Sequence, residues 1–263
     1  MRLRVATYNI HSCVGNDRGY DPRRIADVIL ETGADVVGLQ EVAAKPELAG
    51  VPDQFAYLAE ATGMTAIAGP NVILHESRFG NVLLTRWPAL GVRRVDLSIA
   101  PYEPRGAVVA DLAIHGTRLR VITTHLGLRV WERARQHATL GRLMAARGDA
   151  PAVIMGDFNS WWPDLSALKH LGPRFGWSRS PASFPAHLPF LALDRIWAVP
   201  DTFIGRVRAH KTPLARQASD HLPVVADLAL PDPAPSGVEN TEVPSQNEAT
   251  VIAPSPSRRT IEA

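Results

Sequence analysis

The apolar run Ala152–Met155 breaks at once into Gly156-Asp157-Phe158-Asn159, so a carboxylate and an amide leave a buried segment together. Asp220-His221 stands just before the apolar run that begins at Val224. An Asp beside a His can hold and move a proton near neutral pH. Each segment also has a plain structural reading. The first is explained by an Asp/Asn turn closed by local hydrogen bonds, the second by a strand-entry loop with an incidental histidine. Company gives them weight: Asn9 follows VATY, Glu41 follows VVGLQ, His125 follows VITT, and Asp194 lies within LALDRIWAV. These side chains suit metal or phosphate chemistry, and strand ends on a rigid sheet are good places to gather them.

The elements that must position them follow from patterning. Arg4–Tyr8 reads as a buried strand. Asp21 fits an N-cap, Pro22 the first helical position and Gly33 a C-terminal stop, with Ile25, Val28 and Ile29 as the apolar stripe between. Val36–Leu39 is a short buried strand ending in Gln40-Glu41, and a helix is expected near Pro52–Thr62. Strands are expected at Met64–Ala68, Asn81–Thr85 and Val92–Asp96. Ala107–Ile114 and Arg118–Thr124 form a hairpin around His115-Gly116-Thr117. A long helix covers Trp131–Arg147, strand Ala152–Met155 leads into Asp157, and a shorter helix starts after Asp164. Late strands fall at Leu193–Val199, Ile204–His210 and Val224–Leu230. Many strands and few helices indicate a largely antiparallel mixed α/β body. No GxGxxG or P-loop pattern is present, so dinucleotide or Walker-type phosphate binding has no support.

Composition sets the frame. With 263 residues and 46% apolar residues, the chain can bury a large core without disulfides, and Cys13 is its single cysteine. Residues 1–230 are expected to form one domain. Residues 231–263 are Pro/Ser/Glu-rich and read as a disordered tail, although TVIA inside it could dock. The net charge of +2 becomes +5 for 1–230, with 26 basic and 21 acidic residues. That suits an anionic substrate without proving a nucleic-acid partner. The N-terminus lacks a signal-peptide pattern and no run is long enough to span a bilayer. A cytoplasmic protein, with a monomer favoured, is the expectation.

The clusters together resemble the endonuclease/exonuclease/phosphatase superfamily of DNase I-like metal-dependent phosphoesterases. The resemblance covers nearly all of 2–229 and rests on short motifs in the family's order. They are TYNIH around Asn9, LQEV around Glu41, GNVLLTRWP around Asn81, PRGAVVADL around Arg105, THL around His125, GDFNS at 156–160, LDRIWA around Asp194 and SDHLPV at 219–224. It implies a four-layer sandwich: two mainly antiparallel mixed β-sheets packed face to face with helices outside. It also implies that Glu41 is the principal metal ligand, with Asn9 and Asp220 completing an oxygen-rich shell. Such a shell suits Mg²⁺, with Mn²⁺ able to substitute. Sulfur or multi-histidine ligation for zinc is absent from the sequence. Asp194 would orient His221, and His221 or Asp157 would activate water. Asn159 would orient Asp157 or the phosphate, and His125 would donate to a phosphoryl oxygen.

Asn81, Arg105 and His11 are weaker candidates for positioning phosphate. A turn amide explains Asn81, and pairing with Glu103 or Asp111 explains Arg105 equally well. Cys13 reads as a small loop residue, and Arg133 and Arg135 as a solvated helix face. The expected reaction is hydrolysis of a phosphoester, a phosphodiester above all, by in-line attack of water on phosphorus. Nucleic acid and phospholipid or small-molecule substrates both stay open. Trp131 and Trp161-Trp162 could stack on a base or meet a lipid interface, and the apolar stretch Phe184–Leu193 could line a headgroup site. A catalytically silent scaffold is the non-enzyme alternative, disfavoured because the acid-base set is complete.

Overall fold

A computed structural model describes residues 1–44, 53–160, 169–171, 180–230 and 251–254. Two mixed sheets form its centre. The first is built from β1 (Arg2–Asn9), β2 (Val36–Ala44), β3 (Thr65–Leu74), β4 (Ser77–Thr85), β10 (Ile204–Ala209), β11 (Val224–Ala229) and β12 (Val251–Ile252). Their order is β10-β11-β1-β2-β4-β3-β12. The second has the order β5-β6-β7-β8-β9, from β5 (Ala89–Asp96), β6 (Gly106–Ile114), β7 (Thr117–His125), β8 (Ala152–Asp157) and β9 (Asp194–Val199). Among the described residues only β1 with β2 and β7 with β8 run parallel; the other pairs are antiparallel.

Strand alternation assigns each sheet two buried faces. In β1, Leu3 and Val5 meet Val108, Val121, Val153 and Met155 of the opposite sheet. Ala6 and Tyr8 point the other way, onto Ile25, Val28 and Ile29 of α1 (Pro22–Thr32) and Phe55 and Leu58 of α2 (Gln54–Thr62). On the far side, Val109, Ile122 and Ile154 pack under Leu140, Leu143 and Met144 of α3 (Val130–Ala145). The result is the expected four-layer sandwich.

The caps act as expected for α1: Asp21 accepts from Arg24 N, and Gly33 takes a left-handed φ of 61°. The hairpin at His115-Gly116 also forms as expected. Four readings need correction. The β3–β4 ribbon reaches out to Leu74 and Ser77, where the strands were expected to stop at Ala68 and restart at Asn81. Its Gly, Pro and Asn residues mimic loop signals, but backbone pairing continues through them. A helix α4 (Pro213–Ala218), capped by Thr212, was not anticipated. Arg133 is buried and its guanidinium donates to Gly127 O and Leu128 O, so it ties down a loop instead of lying on a solvated face. Within the segment expected to be disordered, Val251 and Ile252 pair with Ile67 and Ala66. These β-branched residues satisfy the edge of β3, and Ile252 packs on the helix-side core. The helix expected after Asp164 lies mostly outside the described residues, of which 169–171 are helical.

The two sheets approach closely beneath the end that carries the polar clusters. A Cβ on Gly38 would fall on the Thr123 hydroxyl and 2.9 Å from Thr123 Cβ. Gln40 fills the same layer, donating to Thr123 Oγ1 (3.1 Å), while its Oε1 accepts from Thr7 Oγ1 (3.2 Å). Gly38→Ala should therefore cost about 1–3 kcal/mol of stability by overpacking, measured by urea unfolding; a variant as stable as the parent would contradict this close approach.

Candidate active site

Register delivers the side chains. Gly106, His125, Asp157 and Asp194 are successive cross-strand partners along β6, β7, β8 and β9, so they form one row across the second sheet. In the first sheet Asn9 is level with Gln40, and Glu41 lies in a β-bulge between Leu39 and Val42 with a φ of 58°. The bulge reverses the alternation, so Gln40 stays between the sheets while Glu41 turns to Asn9. Asn9 Nδ2 donates to Glu41 Oε1 (2.9 Å) and to Asp157 Oδ2 (3.1 Å). One amide thus joins a carboxylate from each sheet.

A second group lies beside it. His221 Nδ1 donates to Asp194 Oδ2 at 2.8 Å, and its Nε2 faces Asp157 Oδ2 at 3.7 Å. Burial opposes charge on this ring, but Asp194, followed by Asp157 and Asp220, carries its pKa up to about 10. Ser183 Oγ also donates to Asp194 Oδ2 (2.6 Å), while Asp194 Oδ1 is buried without a partner. Ser219 Oγ donates to Asn9 O (2.8 Å) and anchors the loop that carries Asp220 and His221.

Opposite the carboxylates is a cluster of donors. Arg105 Nη1 is 3.1 Å from His125 Nδ1, and Asn159 Nδ2 is 3.0 Å from His125 Nε2. A guanidinium only donates, so Nδ1 accepts and the ring proton sits on Nε2. Asn159 Nδ2 also donates to Leu126 O (2.8 Å), which fixes the amide orientation and sets two donors face to face. An acceptor oxygen arriving between them resolves that conflict. Burial first, then Arg105 and His221, hold His125 at a pKa of about 3 despite the opposing charge of Asp157.

Two groupings have the composition of a cation site. Ligand atoms of Asp157, Asp194 and His221 lie within 4.8 Å of one another, although Asp194 Oδ2 and His221 Nδ1 already satisfy each other. The other comprises Glu41, Asn9 and Asp220. Burial, and then the charges of Asp220 and Asp157, raise the Glu41 pKa against the opposing hydrogen bond from Asn9. A cation would relieve that excess negative charge, and the oxygen donors fit a hard one.

The model of the Endonuclease/Exonuclease/phosphatase family matches residues 6–221, spanning every strand end described above. The chain belongs to this family. It is 29% identical to the uncharacterized protein YbhP of Escherichia coli over 87% of this chain and 96% of that one. Among solved structures, it resembles an endonuclease/exonuclease/phosphatase from Beutenbergia cavernae, with 27% identity, a TM-score of 0.69, and coverage of 87% of this chain and 72% of that one. A mannosyl-6-phosphatase from Bacteroides thetaiotaomicron shares the fold at 18% identity and a TM-score of 0.67, over 87% of this chain and 100% of that one.

Asn9, Glu41, His125, Asp157, Asn159, Asp194 and His221 of this family member are joined by hydrogen bonds or close approaches into one cluster. Asn81 is buried on β4 and donates to Gly106 O (2.9 Å), so it braces the row from the opposite sheet. Arg105 bonds to His125 and Glu103, whereas Asp111 pairs with Arg118 and Arg120. His11 is exposed, with Nδ1 3.0 Å from Val14 O and 3.9 Å from Asp220 Oδ1. Cys13 is buried, and burial pushes its thiol well up, as suits a packing residue. Trp131 is exposed against Tyr102, and Phe184 packs on the His221 ring at 4.8 Å, with Leu188 and Phe190 exposed beyond it. Trp161 and Trp162 lie outside the described residues. Ser183 was missed: it lies 11 residues before Asp194, and nothing local marks it as a partner.

The His125 value gives a direct check. The ring Cε1–H resonance should hold one chemical shift between about pH 8 and about pH 5. The folded pKa of about 3 lies below the ordinary 6.5, so the unfolded chain binds the proton first and stability falls as pH drops between those values. A titration centred near the ordinary value would contradict the donor arrangement.

Proposed function

We propose that this chain is a Mg²⁺-dependent phosphodiesterase that hydrolyses a P–O bond by in-line attack of water. The observation that carries it is the juxtaposition at Asp157. On one side stand the donors Arg105, His125 and Asn159, and on the other the acceptors Glu41, Asp157 and Asp220. A phosphoryl group would meet the donors with its oxygens, and the carboxylates would hold the cation that offsets its charge.

Glu41 would be the principal ligand, with Asn9 and Asp220 beside it, and Mn²⁺ should substitute for Mg²⁺. When bound, the cation acts as a Lewis acid toward the phosphoryl oxygens and supports the leaving oxygen. His125 donates through Nε2 to a non-bridging oxygen, and Asn159 holds Asp157 by donating its backbone N–H to Oδ1 (2.9 Å). Asp157 Oδ2 and His221 Nε2 stand 3.7 Å apart and face the same space, so Asp157 takes the proton as water attacks phosphorus, and His221, held protonated by Asp194, supports the charge beside it. The bond to the leaving alcohol breaks and its oxygen is protonated in turn. Asp194 fixes the His221 tautomer. The catalytic unit is residues 1–230, and the lone buried Cys13 fits a reducing cytoplasm.

The substrate alternatives are a nucleic acid and a phospholipid or small phosphodiester. In the fold family, a zebrafish TDP2 structure carries a single-strand DNA product at 16% identity. That supports the nuclease arm by fold alone. The exposed Trp131, Leu188 and Phe190 suit stacking or a lipid interface. Plasmid DNA, RNA and phospholipid assayed side by side with Mg²⁺ separate these arms.

Turnover of bis-p-nitrophenyl phosphate should require Mg²⁺ or Mn²⁺ and fall by about 10²–10⁴-fold in His221→Ala. Absence of turnover with either ion would overturn the enzyme reading in favour of a silent scaffold. Asp194→Asn should lower kcat by a similar factor while leaving the half-saturating Mg²⁺ concentration unchanged. Glu41→Gln should raise that concentration by at least the about 10–100-fold typical of a lost supporting contact. The reverse pattern would place the cation on Asp194.

A further inference from the structure

A cavity of about 230 Å³ is lined by Gly69, Pro70 and Asn71 of β3, by the end of β5 and by Arg105 and Ala107 at the start of β6. At ~30 Å³ per water it has room for a small polar group rather than a stacked base pair. Arg94 and Arg105 both line it, with Asp96 as the one carboxylate on its wall. Asn71 lies over Gly106 on the same wall, which places the cavity against the row that holds His125 and Asp157.

Both guanidiniums carry unused donors. Arg105 is buried, and its Nε has no hydrogen-bond partner even though its terminal nitrogens reach His125 and Glu103. Arg94 spends Nε on Ala68 O (2.9 Å). Among the described residues no carboxylate within ion-pair distance compensates its charge, and burial followed by the nearby Arg78 lowers its pKa. Asp96 already accepts from Ser98 N through Oδ1 (2.8 Å), which leaves Oδ2 for a hydroxyl. Two guanidiniums in a recess are the arrangement that binds a phosphate through several charge-assisted bonds.

We propose that the Arg94–Arg105 cavity is a second phosphate subsite, so that the substrate carries a further phosphate, on a hydroxylated backbone, next to the one that is cleaved. This rests on the phosphoesterase reading for its place beside the scissile bond. A nucleotide chain and a phosphorylated headgroup share that chemistry. Arg105 joins the two sites, since it lines the cavity and bonds to His125, and the subsite would thereby set which phosphate is presented to Asp157.

The test is a calorimetric titration of inorganic phosphate into the full chain in excess EDTA. Without a cation the carboxylates around Asp157 repel the anion, and no turnover is needed, so failure of the catalytic reading would not move the result. Saturable binding is expected, weakened about tenfold or more in Arg94→Ala and partly restored in Arg94→Lys. Arg93→Ala, altering an exposed neighbour, should bind as the parent does. A nucleoside bisphosphate binding more tightly than an inositol bisphosphate assigns a nucleotide, and the opposite order a headgroup; either order supports the subsite. No saturable binding by the parent, or equal affinity in an Arg94→Ala protein that melts as the parent does, would overturn it.

Discussion

The amide of Asn9 is the joint on which the site turns. It donates to Glu41 in one sheet and to Asp157 in the other, at 2.9 and 3.1 Å. Two carboxylates repel when brought together in a buried place, and a neutral donor between them reduces that repulsion without cancelling the charge. The remaining negative charge is what the proposed cation would use. Everything around the joint keeps it in place: the Glu41 bulge turns the carboxylate inward, Ser219 fixes the Asn9 carbonyl, and the Gln40–Thr123 layer holds the sheets at one separation. Catalytic geometry here is a consequence of sheet-on-sheet packing.

The second sheet contributes in a different way. Its row from Gly106 to Asp194 is set by strand register alone, and a shift of one residue would turn His125 and Asp157 to the opposite face. The row separates functions by neighbour. His125, against Arg105, is held neutral; His221, against Asp194, is held protonated; Asp157 lies between them. Two histidines of one ordinary pKa thus acquire different tasks from burial and charge.

The sequence was most informative where structure is local. Asp21, Pro22 and Gly33 bound α1 as their chemistry requires, and the apolar runs of β1, β7, β8 and β11 led to the polar residues at their ends. The polar residues at those ends could be named because they interrupt buried runs. Interactions made by distant partners were not legible. Ser183 bonds to Asp194, and Asn81 braces Gly106, through contacts that no spacing reveals. The β3–β4 ribbon was underestimated because Gly69, Pro70 and Asn71 look like a loop, and Arg133 looked solvated although loop carbonyls hold it. Docking of Val251–Ile252 depends on an open sheet edge, which only the assembled fold supplies.

The most direct test is the position of the cation. Anomalous diffraction from crystals soaked in Mn²⁺ should show one peak touching Glu41, with Asn9 and Asp220 in its shell. A peak among Asp157, Asp194 and His221, with none at Glu41, would contradict the account.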